Sequence, residues 1–179
     1  MDNTSLEIKL KSLNLKHNPI FTKKDHVKYV QDWRGQYKGD AAAILKPTNT
    51  KEVSRILKLA NDNKIGVVPQ GGNTSLCGAA TPDKSGTSIV ISFEKMNKIR
   101  ELNKESQTIT VEAGVILSQI HDIVEKNNLF FPLSLGAQGS CMIGGNLSTN
   151  AGGVNVLKYG NTRELCLGLE IVLSNGKIM

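Results

Sequence analysis

The hydrophobic positions change period several times along the chain, and each change marks an element. Residues 5–16 and 23–31 read as two short helices, followed by the glycine-broken connector "DWRGQYKGD". "AAAILKP", residues 41–47, is a short apolar run closed by proline, the pattern of a strand. "TNTKEVSRILKLANDNK" predicts an amphipathic helix. Val53, Ile56, Leu57 and Ala60 repeat on one face, with Asn49 placed to cap the start and Glu52 to reach back to it. "IGVVP" reads as a strand, and "TSIVISF", "NKIREL" and "QTITVEAG" as β-rich runs, the last two joined by a polar turn at Asn103 to Ser106. "VILSQIHDIVEKNN" predicts a second amphipathic helix with Ile116, Ile120, Ile123 and Val124 inward, and "GGNLSTNA" a short helical turn. "LCLGLEIVLSNGKIM" reads as a strand, an Asn-Gly hairpin signal at Asn175 and Gly176, and a returning strand. That second arm ends about three residues on, which predicts a longer parent protein. The order β-α-β, then several strands, then α and β again predicts an α+β domain whose glycine loops lie on one side of a mixed sheet.

Composition narrows the function classes. A chain of 179 residues can build one domain with a core or two small lobes, and 39% hydrophobic with 21% charged residues is ordinary for a globular protein. No apolar run approaches the roughly 20 residues of a membrane span. The N-terminal stretch has no apolar core or small-residue cleavage site, so a cytoplasmic location is the expectation. The net charge of +6 is concentrated in the first third, but aromatics are only 4%, so solvated lysine faces explain it better than nucleic-acid binding. Cys77, Cys141 and Cys166 form an odd, widely spaced set that fits reduced thiols, Cys77 and Cys141 reading as small fillers. His17, His26 and His121 lack metal-pair spacing, so no metal site is expected. Trp33 beside Arg34 reads as a packing anchor. The "NTS" and "NLS" sequons at Asn73 and Asn146 carry no weight without a secretory signal.

Two stretches remain. "VPQGGNTSLCGAA" sets Gly71, Gly72 and Gly78 around Asn73, Thr74 and Ser75, directly after an apolar strand. "GSCMIGGNLSTNAGG" repeats the idea: eight of the 17 glycines lie between Gly136 and Gly168, interleaved with Ser140, Asn146, Ser148, Thr149 and Asn150. Glycine lets main-chain N–H groups turn toward a diphosphate with no Cβ in the way, and it leaves room beside a flat ring system. Neither loop is a Walker A motif, since GxxxxGK[ST] is absent, nor a Rossmann fingerprint. A tight structural turn would explain the first loop alone; the pair together points to a bound dinucleotide gripped mainly by backbone.

At these two stretches, and in "DWRGQYKGDAAAILKPTNTKEVSRIL", the sequence closely resembles a known family from about Trp33 onward. It is similar to the PCMH-type FAD-binding domain of the FAD-linked D-2-hydroxyacid dehydrogenases, among the vanillyl-alcohol-oxidase-like flavoproteins. That group includes D-2-hydroxyglutarate dehydrogenase, D-lactate dehydrogenase and the glycolate oxidase D subunit. The resemblance implies an α+β fold of two subdomains with mixed sheets, residues 1–40 forming a helical lead-in and 41–179 an incomplete FAD-binding domain. It implies that Gln70, Gly71, Gly72, Asn73 and Thr74 form the pyrophosphate loop. Pro132, Gly139, Ser140, Ile143, Gly144, Gly145, Asn146, Thr149, Asn150, Gly152 and Gly153 match the segment lining the flavin and its ribityl-diphosphate tail. Ile171 matches a position on the adenosine side.

Ser75 and Cys77 depart from the family pattern, and a modest change of loop shape is expected there. Relatives with a flavin attached through this loop carry a histidine after the paired glycines; here that position is Asn73, which implies non-covalent FAD. The implied reaction is oxidation of a D-2-hydroxy acid by hydride transfer to flavin N5. Its catalytic residues and substrate site lie in a C-terminal domain outside the chain, so no catalytic residue is named and the fragment alone is expected to be inactive. The electron acceptor is open, and so is a homodimer of the full-length protein. The alternatives are a truncated or degenerate FAD module without activity and a superfamily oxidase of a sugar or aromatic alcohol.

Overall fold

The computed structural model describes residues 3–179. The chain divides into two compact units, residues 1–95 with 170–179 and residues 96–169.

The first unit is built on a three-stranded parallel sheet. Its strands are β1 (Ala43–Leu45), β2 (Val67–Gln70) and β3 (Ile89–Ser92), in the order β1-β3-β2. β1 and β3 are buried throughout and read as apolar runs, whereas the edge strand β2 is half-buried with Pro69 exposed. Ala43, Leu45, Ile89 and Ile91 face α1 (Asn3–Ser12) and α3 (Thr50–Asp62), packing with Leu6, Leu10, Leu15, Ile56 and Ala60. Ile44 and Val90 face the other way, against Tyr29 and Val30 of α2 (Lys23–Val30). The helices ahead of Ala41 therefore share the core of this unit.

Asn49 caps α3 as its sequence predicts, its Oδ1 accepting the Glu52 N–H at 3.0 Å. Glu52 does not reach back to Asn49. Its buried carboxylate accepts the N–H groups of Lys16 (2.9 Å) and Thr48 (2.7 Å) and the Thr48 hydroxyl (3.2 Å), a tie from the helix start to the segment after α1. Burial pushes this carboxyl up, but the N–H donors outweigh it and hold it below the ordinary value.

Residues 166–172, expected as a strand, form no ladder; a single bridge pairs Val172 with Ile178. The hairpin at Asn175 and Gly176 is present, but it is not a two-residue turn. Gly176 has φ +83°, its N–H donates to the Leu173 carbonyl (2.8 Å), and Leu173 N–H donates to the Lys177 carbonyl (2.9 Å). That is a three-residue loop with glycine in the left-handed position. Ser54 Oγ of α3 donates to the Gly176 carbonyl at 2.6 Å and fixes the turn.

The second unit pairs β4 (Ile99–Asn103) and β5 (Thr108–Val111) antiparallel, with the expected turn between them. The helix α4 (Leu117–Glu125) buries Leu117, Ile120 and Val124, while Ile116 and Ile123 are only half-buried. The Gln119 side chain accepts the Ile116 N–H (3.2 Å) at the start of this helix. Three short helices follow: α5 (Ile143–Ser148), α6 (Val156–Tyr159) and a 3-10 turn at Thr162–Leu165. The sequence pattern shows the first of these and not the other two, which are four residues each, too short to express a helical period.

Candidate functional site

In the first unit the glycine loop leaves the carboxyl end of β2 and returns to β3, its parallel neighbour, without an intervening helix. The carboxyl ends of parallel strands are where open α/β sheets hold ligands. Among the described residues, the backbone N–H groups of Gly71, Gly72, Asn73, Thr74 and Ser75 donate to no acceptor in the chain. Asn73 has φ +53°, a left-handed conformation that Asn and Gly adopt most readily, and it turns the chain inside this run of free donors. Residues 70–80 carry no charged side chain, so an anion here would be met by amide dipoles.

Gln70 faces inward. Its buried Nε2 donates to the carbonyls of Tyr29 (2.8 Å) and Ala80 (2.7 Å), closing the two ends of the loop on each other. Ser75 and Cys77 sit together, with Oγ and Sγ 3.0 Å apart. The Ser75 hydroxyl holds the exposed Cys77 thiol below its ordinary pKa. Beside the same sheet edge Glu94 takes Lys46 Nζ (3.0 Å) and the Tyr29 hydroxyl (3.1 Å). Burial raises this carboxyl and the Lys46 ammonium more than compensates, so it stays ionised.

In the second unit the segment from Pro132 to Gly153 wraps the start of α4. Leu117 N–H donates to Cys141 O (3.1 Å), Ser118 N–H to Gln138 O (2.9 Å), and Gly144 N–H to Ala113 O (2.9 Å). The glycines here divide into two kinds. A Cβ on Gly153 would lie 2.1 Å from Ser134 O, and one on Gly144 2.7 Å from Ala113 Cβ, so the chain's own packing demands glycine at both. A Cβ on Gly139 or Gly145 would meet nothing within 4 Å, and neither residue has a positive φ. Nothing inside the protein explains glycine at those two positions, nor at Gly136 of the same segment, which is equally open. Their N–H groups are likewise unpaired among the described residues.

Asn146 is 6% exposed, and its buried Oδ1 has no hydrogen-bond partner. Burial pushes the neighbouring Cys141 thiol up. Ile143 is a core residue whose N–H donates to Val115 O (3.0 Å). Pro132 O accepts Asn155 Nδ2 (3.0 Å), Thr149 Oγ1 donates to Gly145 O (3.0 Å), and Ser140 is exposed. Asn150 has φ +50°, and its Oδ1 accepts the Arg163 N–H (3.0 Å). A Cβ on Gly152 would come within 3.0 Å of Asn161 Oδ1.

In the first unit, free amide donors at the carboxyl end of a parallel strand suit an anionic group such as a phosphate. The family profile described as "FAD binding domain" matches residues 41–179. The chain belongs to that family. It is 45% identical over 149 residues to the D-2-hydroxyglutarate–pyruvate transhydrogenase of Saccharomyces cerevisiae, covering 83% of this chain and 30% of that one. It is 37% identical over 175 residues to the D-2-hydroxyglutarate dehydrogenase of Xanthomonas citri pv. viticola, covering 98% and 36%. The chain thus spans about a third of the length of these curated relatives. The solved structure of alkyldihydroxyacetonephosphate synthase superposes with a TM-score of 0.86 at 20% identity, over 98% of this chain and 34% of that one. The α+β, vanillyl-alcohol-oxidase-like FAD-binding fold expected from the resemblance is the fold observed, except that among the described residues neither sheet is mixed: the first is parallel and the second antiparallel.

Within this FAD binding domain the structure adds supporting residues that sequence reading missed. Arg163 closes the end of α5, its Nε and Nη2 groups donating to Leu147 O (3.2 Å) and Ser148 O (2.9 Å). The buried Thr162 hydroxyl donates to Ala151 O at 2.6 Å and holds the turn before Gly152. No periodicity marks these residues; their role follows from contacts with carbonyls 11 to 16 positions away. Ile171 lies in the hairpin of the first unit, exposed, with both backbone polar groups paired to Met179. Among the described residues no metal-binding cluster is present, and no helix is long and apolar enough to cross a membrane.

Proposed function

We propose that this chain is the FAD-binding portion of a flavoprotein oxidoreductase that oxidises a D-2-hydroxy acid to the 2-oxo acid. The observation that carries the cofactor assignment is the run of unpaired amides from Gly71 to Ser75 at the carboxyl end of β2. The amides of Gly71, Gly72, Asn73 and Thr74 would take the diphosphate. The backbone of Gly139, Ser140, Gly145 and Gly152 would lie along the flavin and its ribityl chain, and Asn146 Oδ1 would accept a donor from it. Ile171 would border the adenosine. The substrate class follows from the relatives named for D-2-hydroxyglutarate.

Bound FAD would supply a hydride acceptor for oxidation of the hydroxy acid, with the residues named above holding it. The chain's own part is to hold and orient the cofactor by backbone contacts. Asn73 stands where relatives with a flavin attached through this loop carry a histidine, which supports a cofactor held here without a covalent bond.

The test is the visible absorption spectrum of the purified chain, before and after adding FAD and removing the excess. A structured flavin band, released intact by acid, is the expected result. A colourless protein that ignores added FAD, both as this chain and within the full-length polypeptide, would end the proposal.

A further inference from the structure

We propose that residues 29–39, the last turn of α2 and the hairpin that follows it, form a clasp that presets the loop 70–80 for its ligand, with Arg34 as a positioning residue. The inference rests on the reading of that loop as the diphosphate site. The loop lacks helix or strand support between Gly71 and Ser88, a length at which free amides would ordinarily sample many geometries. It is instead tied to one short element at four places. Gln70 Nε2 donates to Tyr29 O (2.8 Å), and Asn73 Nδ2 donates to Gln31 O (2.8 Å). Arg34 Nη2 donates to Leu76 O (3.0 Å). The Tyr37 ring lies over Gly78, where a Cβ would come within 2.6 Å of it; Gly78 also has φ +66°.

The clasp is itself rigid. Gln31 and Lys38 form an antiparallel bridge, and Asp32 N–H donates to Tyr37 O (3.0 Å). Asp32, 3% exposed, accepts the Tyr37 N–H at 2.7 Å through Oδ1. Its own carbonyl accepts the N–H of Gly35, which turns the chain at φ +70°. Below the hairpin, Gly39 abuts the loop's return so closely that a Cβ would fall 1.8 Å from Pro82 O, and Asp40 N–H donates to Asp83 O at 2.7 Å. The tethers thus run from Gln70 to Asp83 along a single brace. Donors held in place before the ligand arrives bind more tightly, because less freedom is lost on binding. Arg34 also brings a fixed positive charge to a loop whose residues 70–80 have none.

The experiment uses the full-length protein and its Arg34→Ala and Arg34→Lys variants. Arg34 is exposed, and its hydrogen bond reaches the loop, so the core is untouched. Two quantities are read: the FAD dissociation constant by flavin fluorescence, and backbone order parameters by NMR relaxation at residues 71–76 in the flavin-free protein. Arg34→Ala is expected to raise the dissociation constant about fivefold, the equivalent of about 1 kcal/mol, and to lower the order parameters in that segment. Arg34→Lys should restore most of both, since an ammonium can still donate to Leu76 O. Asn73→Asp, which removes the donor to Gln31 O without changing the backbone preference, should loosen the same residues. Unchanged order parameters in Arg34→Ala and Asn73→Asp, in a protein that binds FAD, overturn the clasp and leave the cofactor reading intact. Lowered order parameters in a protein that binds no FAD support the clasp and overturn the cofactor reading.

Discussion

Gln70→Glu replaces one amide by a carboxyl of the same shape, at a position where the amide nitrogen faces two carbonyl oxygens, those of Tyr29 (2.8 Å) and Ala80 (2.7 Å). No cavity is made, so the effect is purely polar. The new carboxyl, when protonated, would offer one O–H to the two carbonyls, losing about 1 kcal/mol for the hydrogen bond no longer made. When ionised it would offer none and would leave a charge buried against two acceptors, a loss of roughly 3–5 kcal/mol. Burial and the facing carbonyls both favour the neutral form, so the folded pKa of this carboxyl lies above its unfolded one. The folded state then holds more protons than the unfolded, and stability falls as pH rises from the unfolded value through the folded one.

The variant should accordingly lie close to the wild type at pH 4 and fall well below it at pH 7.5. At roughly 2–4 °C per kcal/mol for a chain of this size, the gap in thermal midpoint widens to about 10 °C or more. Near-UV circular dichroism melts of both proteins at the two pH values read it directly. An equal gap at both pH values would refute the reasoning, because it would mean that Gln70 does not serve two buried carbonyls.

The glycines give a paired prediction. Gly153→Ala should cost several kcal/mol of stability, about 2–4 in a melt, because its Cβ would strike the Ser134 backbone carbonyl. Gly145→Ala sits in a helix with open space around it, so it should melt no lower than the wild type yet bind FAD at least about tenfold more weakly, the 1.4 kcal/mol of one obstructed contact; wild-type affinity in that variant would show that no ligand approaches Gly145. Glu52→Gln tests the tie between α3 and the segment after α1. The folded Glu52 carboxyl is held below its ordinary value, so its contribution is present above the unfolded pKa and is lost as pH falls through the folded one. The wild type should therefore lose stability on acidification from pH 5 to pH 3 more steeply than Glu52→Gln, by about 1–2 kcal/mol in urea titrations.

Some of this molecule was legible before any coordinates. The two amphipathic helices α3 and α4 are written as a 3.6-residue period, and the cap at Asn49 as a local motif, because the interactions involved span four residues or fewer. The apolar runs of β1 and β3 likewise announce strands buried on both faces. The glycine-rich segments were visible as composition, and the resemblance they carry led to the FAD binding domain family.

Tertiary structure decided the rest. "LCLGLEIVL" alternates like a strand but forms one bridge at Val172, since a strand exists only where a partner takes its backbone groups. Glu52 has the sequence position of a helix-capping acid but accepts from Thr48, beside the cap, and from the N–H of Lys16, a donor 36 residues away that local pattern does not show. Gly145 and Gly153 look alike in sequence, yet Gly153 is pressed against a carbonyl and Gly145 faces open space. Arg34 and Asn73 each reach a carbonyl 42 residues distant along the chain. Short-range periodicity fixes which elements form, since it acts between neighbours in the chain. Which carbonyl an arginine meets, or what a glycine makes room for, is settled by segments that only folding brings together.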